Sequence, residues 1–279
     1  MHPRTDHLID LALEEDAGLG DLTSRAVFAA GHTSSAYIGT DHDLVICGLE
    51  IAGRVFARVD PRLKVKTLAS DGDRIRKGRQ VLTVSGPTIA LLTAERTALN
   101  FIQRLSGIAT LSRRFADAVA GTGVRVVDTR KTTPGFRALG KYAVRCGGCH
   151  NHRSSLGEHV LIKDNHIAGA GSLARAVSRA KEAAPHLSRI EVEAKTLAEV
   201  REAIRAGADV ILLDNMRPNQ VQAAVAIIGG AALVEVSGGV RLETVRGYAI
   251  AGVDVISIGA LTHSAPAAGL SLTVVPRRR

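Results

Sequence analysis

Five basic or imidazole side chains in the middle of the chain are candidates for one binding site. They fall in the segments 128–135, 151–153 and 161–166. Arginine offers a planar fork for carboxylate or phosphate, and lysine offers a point charge. We therefore expect a cationic cup for a ligand with several anionic groups. Its members are Arg130, Lys131, His152, Arg153 and Lys163. The alternative is that these residues form surface salt bridges, as lysine and arginine usually do.

Two carboxylates and two glycine-containing segments accompany the cup. Glu193 and Asp214 could bind ribose hydroxyls, hold Mg²⁺ through water or stabilise a developing cation. They could equally neutralise nearby lysine and arginine. Ser237-Gly238-Gly239 and Gly259-Ala260 offer backbone N–H groups without a bulky side chain, as phosphate binding requires. A lone Gly-Gly is more often a plain turn, but two such sites on late strands favour phosphate binding.

These residues follow short apolar runs that predict the strands of a parallel sheet. Helical segments, among them 172–184, 197–206 and 242–251, lie between most of the runs. Polar residues follow nearly every run, which favours a barrel whose site lies at the carboxyl ends of its strands. Six strands are fewer than the usual eight, so we expect an incomplete α/β barrel. The six runs are 124–127, 159–162, 190–192, 210–213, 233–236 and 255–258.

The first hundred residues show a different pattern, which predicts a small α+β domain. Helices are expected at 8–15 and 48–59, and a long helical region, broken near Gly107, at 93–120. The resulting domain prediction is 1–108 for the α+β domain and 109–265 for the barrel, with the tail, about 266–279, as a candidate to pack on the first domain. Short strands are expected at 35–39, 63–68 and 80–84.

Composition limits the class of protein. The 279 residues are 46% hydrophobic, and the net charge is +9. A basic chain could bind nucleic acid, but aromatic residues are 3% and tryptophan is absent, which disfavours a single-strand binder. A pocket for small polyanions and a merely basic surface are the alternatives. No apolar run is long enough to span a bilayer, and the N-terminus lacks the apolar region of a secretory signal, so a cytoplasmic location is expected.

The segment Cys146-Gly147-Gly148-Cys149-His150 matches the pattern of c-type haem attachment. With His152 it could also suggest zinc, but no second pair of ligands follows at a suitable spacing. Haem attachment requires export. We therefore expect neither haem nor stoichiometric zinc, and a reactive thiol at Cys149 has no support from the sequence.

The motifs together closely resemble quinolinate phosphoribosyltransferase, the carboxylating nicotinate-nucleotide pyrophosphorylase. The match runs in order over almost the whole chain, and this set of motifs is highly specific. Its one departure is Cys149, where the family has a third glycine; a positive φ there would strain the cysteine. The matching segments are 14–16, 95–100, 128–135, 141–144, 147–148, 151–153, 161–166, 191–193, 213–216, 236–239 and 257–263.

The resemblance implies a fold, a reaction and a set of residue roles. The fold is α/β, with a small N-terminal α+β domain and an open parallel barrel of the type II phosphoribosyltransferase kind, assembled as a homodimer. The reaction uses Mg²⁺ and phosphoribosyl pyrophosphate and makes nicotinate mononucleotide in de novo NAD biosynthesis. Arg130, Lys131, His152, Arg153 and Lys163 then correspond to binders of quinolinate or the anionic sugar.

The remaining roles also follow from the resemblance. Glu193 and Asp214 correspond to groups linked to ribose and, through water, to Mg²⁺, and Lys131 joins them as a candidate catalytic residue. Arg96 corresponds to an arginine supplied by the neighbouring subunit. Thr129 is a further expected contact to substrate. The expected cradle for the 5′-phosphate comprises Ser237, Gly238, Gly239, Gly259 and Ala260, and Leu261 is added as a substrate contact.

Three alternatives stay open. A nicotinate phosphoribosyltransferase would share the sugar-phosphate site but needs fewer cations for its monocarboxylate substrate. A related barrel acting on another base is the second alternative. The third is a non-enzymatic nucleic-acid-binding protein, which a salt-dependent DNA gel shift would reveal.

Overall fold

A computed structural model describes residues 4–276 of the chain. Contacts within the chain divide it into two compact units. The first comprises the described residues of Met1–Arg113, Thr133–Gly148 and Ser264–Arg279, and the second comprises Arg114–Thr132 and Cys149–His263. The domain limits expected at residues 108 and 265 stay predictions.

The first unit contains a four-stranded antiparallel sheet in the order β12-β1-β5-β3, and a short pair, β2 with β4. In the second half of β1 buried positions alternate with half-buried ones, the pattern of a sheet with one covered face. Its strands are β1 (Thr33–Thr40), β2 (Leu44–Val45), β3 (Lys64–Thr67), β4 (Arg74–Ile75), β5 (Gln80–Pro87) and β12 (Leu270–Val275). Its helices are α1 (Arg4–Ala17), α2 (Leu22–Val27), α3 (Leu49–Val59), α5 (Arg137–Cys146) and the greater part of α4 (Thr88–Ala118).

The C-terminal strand joins this sheet by antiparallel pairing. Val274 of β12 lies opposite Ala36 of β1, and Leu272 lies opposite Ile38. Ala36 and Ile38 are buried, so the inward-facing positions of β1 lie in the core.

The long helix α4 corrects the expectation of a break near Gly107. The helix runs unbroken from Thr88 to Ala118. A Cβ at position 107 would collide with the carbonyl oxygen of Pro266. The glycine therefore lets the backbone of residues 266–267 approach the helix closely, and it does not end the helix.

The second unit contains the six-stranded parallel sheet expected from the sequence. Its order is β6-β11-β10-β9-β8-β7, and within the described residues β6 and β7 form its two edges. The prediction of an open, six-stranded α/β barrel is confirmed. The strands are β6 (Arg125–Val127), β7 (Val160–Ile162), β8 (Ile190–Ala194), β9 (Val210–Asp214), β10 (Leu233–Ser237) and β11 (Val255–Ser257). The helices are α6 (Asp164–Ala170), α7 (Leu173–Ala183), α8 (Leu197–Ala206), α9 (Pro218–Ile228), α10 (Val245–Tyr248) and α11 (Ala260–His263).

Local signals explain where these helices begin and end. The Thr196 side chain accepts a hydrogen bond from Glu199 N at 3.2 Å, and α8 ends at Gly207, whose φ is +76°. The helix expected at 242–251 is shorter, since α10 spans only Val245–Tyr248 and includes Gly247, a weak helix former.

Strand register decides which side chains share a face of the sheet. Glu193 lies beside Leu212, and Leu212 lies beside Glu235. Because the side chains of a strand alternate between faces, Glu191 lies on that same face. This face is the one that carries the polar groups of the site.

Within residues 4–276, no helix combines the length and the apolar character that crossing a bilayer would require.

Candidate active site

The predicted site residues of the second unit lie at or near one edge of its sheet. The six strands are parallel, so their carboxyl ends meet at the same edge. Thr129, Arg130 and Lys131 follow β6 closely, and Lys163 follows β7. Glu193 is the residue before the last of β8, and Asp214 is the last residue of β9. The fold therefore brings together residues that are far apart in the chain.

The segment carrying His152 and Arg153 is held beside β6. His150 N donates to Val126 O at 2.8 Å, and Asp128 N donates to His150 O at 3.1 Å. The fully buried Asp128 carboxylate accepts hydrogen bonds from His152 N at 2.9 Å and from Asn151 Nδ2 at 2.6 Å. Asp128 is the first residue of the motif 128–135, and the sequence predicts no role for it. The structure shows that it fixes the loop on which the cup depends.

Hydrogen bonding orients the imidazole of His152. Its Nδ1 accepts a hydrogen bond from Arg153 N at 2.8 Å, so the neutral ring carries its own proton on Nε2. Nε2 lies 3.4 Å from Glu191 Oε2 and 3.6 Å from Glu235 Oε1. The ring therefore points its N–H toward two carboxylates. A metal bound by His152, Glu191 and Glu235 is disfavoured, because Nε2 offers no lone pair while Nδ1 accepts the hydrogen bond from the backbone.

Glu191 and Glu235 form a buried acidic pair. The Oε1 atom of each is buried and has no hydrogen-bond partner among residues 4–276. Burial, and then the charge of Glu191, raises the pKa of Glu235 to about 7. The pair was absent from the predicted site. The signal that could have found it is Glu235 itself, a charged residue inside the apolar run of β10.

Lys163 and Glu193 form the ion pair of the cup. Lys163 Nζ lies 2.6 Å from Glu193 Oε2, and the lysine side chain is 46% exposed. The backbone N of Lys163 donates to His166 Nδ1 at 2.9 Å, which fixes the start of α6. The neighbouring Asp164 pairs instead with Lys195, at 2.8 Å. Of the motif 163–166, Lys163 thus belongs to the cup, whereas Asp164 and His166 stabilise the backbone and neighbouring side chains around it.

Arg153 is half-buried and lies in a positive environment. Burial, and then the charge of Arg130, lowers the pKa of its guanidinium. Its Nη1 donates to His159 O at 2.7 Å. An arginine placed in this way gains from an anionic ligand, because the ligand offsets both causes of the shift.

The ends of β9 and β10 form a tight glycine-lined turn. Asn215 N donates to Ser237 O at 2.9 Å, and Asn215 has a positive φ of 57°. A Cβ on Gly238 would lie within 2.8 Å of Asn215 N, and φ is +90° at Gly238 and +63° at Gly239. Only glycine fits the first position, and the turn keeps backbone groups accessible beside Asp214.

The ends of β6 and β11 interlock in a similar way. Thr262 Oγ1 donates to Lys131 O at 2.7 Å, and Lys131 N donates to Thr129 Oγ1 at 3.0 Å. A Cβ on Gly259 would lie 3.1 Å from Lys131 Cδ. Ala260 begins α11, and Leu261 is fully buried.

Glu193 and Asp214 are suitable groups for Mg²⁺ held through water. They lie on adjacent strands, and Mg²⁺ usually takes one or two carboxylates together with substrate phosphates. The Lys163 ammonium already occupies Glu193 Oε2. This arrangement favours a water-mediated over a fully direct contact at Glu193.

Two further predicted features are Arg96 and Cys149. Arg96 is exposed on α4, in the first unit. Cys149 is buried, and Asn215 is the one non-glycine residue with a positive φ in the described part of the chain, so Cys149 carries no such strain. The potential metal-ligand groups found among residues 4–276 do not include Cys149.

Comparison with known proteins identifies a family over nearly the whole chain. The family model "Quinolinate phosphoribosyl transferase, N-terminal domain" matches residues 21–106, and the corresponding "C-terminal domain" model matches residues 108–273. A relative in Bacillus subtilis, described as "Probable nicotinate-nucleotide pyrophosphorylase [carboxylating]", is 41% identical over 98% of this chain and 94% of its own length.

Solved structures give the same result. NadC from Streptococcus pyogenes is 38% identical, with a TM-score of 0.93 and 99% of each chain covered. A nicotinate-nucleotide pyrophosphorylase from Ehrlichia chaffeensis is 39% identical, with a TM-score of 0.94, covering 99% of this chain and 100% of its own.

Proposed function

The chain belongs to the quinolinate phosphoribosyltransferase family, and from that premise we propose that it transfers phosphoribosyl from phosphoribosyl pyrophosphate to quinolinate. The products are nicotinate mononucleotide, pyrophosphate and carbon dioxide, in de novo NAD biosynthesis. The observation that carries the proposal is the cationic cup at the carboxyl edge of the open barrel, opposite Glu193 and Asp214. Both substrates are polyanions, and such a cup is suited to them.

The cup residues divide between the two substrates. Arg153 and Lys163 pair with the carboxylates of quinolinate, and His152 donates its Nε2 proton to the same ligand or to the sugar substrate. Arg130 and Lys131 follow β6, which pairs with β11, the strand that precedes Gly259 and Ala260 of the proposed phosphate cradle. The Lys163–Glu193 ion pair at 2.6 Å holds the lysine in place before substrate arrives. Such positioning lowers the entropic cost of bringing two anions together.

The 5′-phosphate binds at the ends of β10 and β11. Gly238 and Gly239 have left-handed backbones, and the tight contact with Asn215 keeps side chains away from Gly238. Ser237, Gly259 and Ala260 complete the cradle, with backbone N–H groups as donors. Barrels of this kind commonly bind phosphate at their late strands.

The reaction needs charge stabilisation more than acid–base chemistry. When the bond from C1 of the ribose to pyrophosphate breaks, positive charge develops on the sugar, and Glu193 and Asp214 stabilise it. The pyridine nitrogen then forms its bond to C1 and becomes cationic. The electron pair released when the adjacent carboxylate leaves as carbon dioxide stays on the ring carbon, where the cationic nitrogen stabilises it until that carbon takes up a proton from water, so no organic cofactor is required. Glu193 and Asp214 would hold Mg²⁺ through water, and the bound ion would supply charge neutralisation for the pyrophosphate.

The direct test is turnover by the purified chain. With phosphoribosyl pyrophosphate and Mg²⁺, quinolinate should give the mononucleotide and one carbon dioxide per product, whereas nicotinate should be a poor substrate. The reason is that one carboxylate leaves part of the cup unpaired. Equal or faster turnover of nicotinate would contradict the assignment and favour a nicotinate phosphoribosyltransferase. Removal of Mg²⁺ by a chelator should stop the reaction, and added Mg²⁺ should restore it.

We also propose a homodimer in which Arg96 of one subunit completes the cup of the other. Its support is that Arg96 is exposed on α4 and that β7 leaves an open sheet edge. Beside that edge lies a groove whose lining includes Leu156, which is 71% exposed. A second copy could cover this apolar surface, and two-fold symmetry makes the exchange of arginines reciprocal. The alternative is a surface pair between Arg96 and an acid such as Glu95.

Mixing two inactive variants tests the exchange. Arg96→Ala and Lys163→Ala should each be nearly inactive alone. After subunit exchange, about half of the dimers are mixed, and each mixed dimer holds one intact site, so about a quarter of wild-type activity should return. If exchange is verified and no activity returns, Arg96 acts within its own subunit or has no part in the reaction.

A further inference from the structure

Two cysteines of the first unit lie together although they are far apart in the sequence. Cys47 lies between β2 and α3 and is fully buried, and Cys146 is the last residue of α5 and is half-buried. Their sulfur atoms and a carboxylate oxygen of Asp71 all lie within 4.8 Å of one another. The proposed reaction does not use this pair, and the haem-like pattern of residues 146–150 contains Cys146 but not Cys47.

The backbone holds both cysteines in place. Cys47 N donates to Ser106 Oγ at 3.0 Å, and that hydroxyl donates to Cys47 O at 3.2 Å. After Cys146, a Cβ on Gly147 would collide with Ala109 O, so the end of α5 packs directly on α4. The proximity of the thiols is therefore a property of the fold rather than of one side-chain rotamer.

The two thiols differ in acidity. The hydrogen bond with Cys47 lowers the pKa of the Cys146 thiol. The same hydrogen bond, followed by burial, raises the pKa of Cys47. Cys146 is also the more exposed of the two. It is therefore the thiol that ionises first and that an oxidant reaches first.

A metal site is the alternative use of this cluster, and the hydrogen bonds of Asp71 argue against it. Its Oδ1 accepts hydrogen bonds from Gly48 N and Leu49 N, each at 3.0 Å, at the start of α3. Its Oδ2 accepts the Tyr142 hydroxyl at 2.8 Å. Asp71 is thus committed to the fold, and two thiols alone fall short of the four ligands of a structural zinc site.

We propose that Cys47 and Cys146 are a modification site, at which a hydroperoxide converts the thiol pair into a reversible disulfide. The Cys146 thiolate attacks the outer oxygen of the peroxide, the O–O bond breaks, and Cys146 becomes a sulfenic acid, while the other oxygen leaves and takes up the proton that Cys146 lost, as an alcohol or water. The Cys47 sulfur then attacks the Cys146 sulfur, and hydroxide leaves and takes the Cys47 proton as water. Two thiols lose two electrons, and the peroxide is reduced by two.

Treatment of the full-length chain with hydrogen peroxide tests the site. The count of free thiols should fall from the three of the sequence to one, and peptide mapping should show Cys47 linked to Cys146. Dithiothreitol should restore all three. The cross-link closes a loop of about 100 residues, so the oxidised protein should melt at least a few degrees higher than the reduced protein.

Single substitutions provide the matched controls. Cys149→Ser should still form the link and lose two thiols, whereas Cys146→Ser should form no disulfide and show no rise in melting temperature. Because Cys146 is half-buried and serine is nearly isosteric, this variant should keep the circular dichroism spectrum of the parent. No step uses turnover, so the result stands apart from the proposed reaction.

Three outcomes would overturn the proposal. The first is a link that involves Cys149. The second is oxidation of Cys146 to sulfinic acid at every peroxide concentration while Cys47 stays a thiol. The third is about one zinc per purified chain that is lost in Cys146→Ser, which would make the cluster a metal site.

Discussion

The carboxylates on the inner face of the barrel sheet belong to two different environments. Glu193 lies near the strand end and pairs with Lys163 at 2.6 Å, where the lysine is 46% exposed. Glu191 and Glu235 lie deeper, with side chains 9% and 6% exposed, and face a single imidazole. The Glu193 side chain is itself only 9% exposed, so the charged neighbour of each carboxylate, rather than burial alone, distinguishes the two environments. Glu193 lies beside an ammonium group, whereas Glu235 lies beside a second carboxylate, and its burial together with that charge raises its pKa to about 7.

The edge environment predicts the largest effect. Lys163→Ala should lower kcat/KM for quinolinate by about two decades or more, because a desolvated charge pair with the substrate is lost while Glu193 is left without its partner. Losses of this kind cost about 2–5 kcal/mol. Steady-state kinetics measure it, with Lys181→Ala as the control, since Lys181 Nζ donates to the carbonyl oxygen of Ala206 at the end of α8. A loss below threefold would place Lys163 outside the site.

The interior environment predicts a dependence of stability on pH. The pKa of Glu235 is raised to about 7 from its ordinary value near 4.5, so the folded protein binds more protons than the unfolded chain between these values. The contribution of this group to the free energy of unfolding is therefore complete below about pH 4.5. It is lost as pH rises through about 7, by at most about 1.4 kcal/mol per pH unit.

Glu235→Gln separates this group from all others. Glutamine cannot ionise, so the variant should lack the decline that Glu235 causes. Urea unfolding at pH 5, 6, 7 and 8 should show the wild type losing stability relative to the variant as pH rises. If the difference in stability between the two proteins does not change over this range, Glu235 does not hold a proton beside Glu191 near neutral pH.

Asp128 connects the two environments, and its substitution predicts an intermediate effect. Asp128→Asn keeps one carbonyl oxygen but turns an amide toward either His152 N or the Asn151 amide, both of which are donors. Loss of a hydrogen bond to a buried charge costs about 1.5–3 kcal/mol. Urea unfolding should show a loss of about 2 kcal/mol. Unchanged stability would mean that the loop of residues 151–153 does not depend on this carboxylate.

The sequence was sufficient to predict which polar residues meet at the carboxyl ends of the parallel strands. Short apolar runs ending in polar residues identify parallel strands, and parallel strands bring their carboxyl ends together, so Lys163 and Glu193 could be placed at one edge without coordinates. The deep pair required the register between strands. Glu191 was visible only as part of a motif, and its relation to Glu235 depends on β9 lying between them.

Long-range packing explains the other differences. Gly107 indicates a helix break by propensity, but the structure uses it for close contact with Pro266, far along the chain. The proximity of Cys47 and Cys146 has no local signal at all, because it depends on how α5 packs against α4. Local rules describe elements well and describe the contacts between distant elements poorly.

The smallest predicted effect belongs to Lys195, the matched lysine on the neighbouring strand. Lys195 follows β8 as Lys163 follows β7, and it pairs with Asp164 at 2.8 Å. Both side chains are about half exposed or more, at 47% and 59%, so water screens the pair. Lys195→Ala should therefore change kcat/KM by less than about threefold, and any change should shrink further as salt is added. A loss approaching that of Lys163→Ala would extend the cationic cup to the end of β8. In that case strand position alone, rather than burial and pairing, would decide which lysines bind substrate.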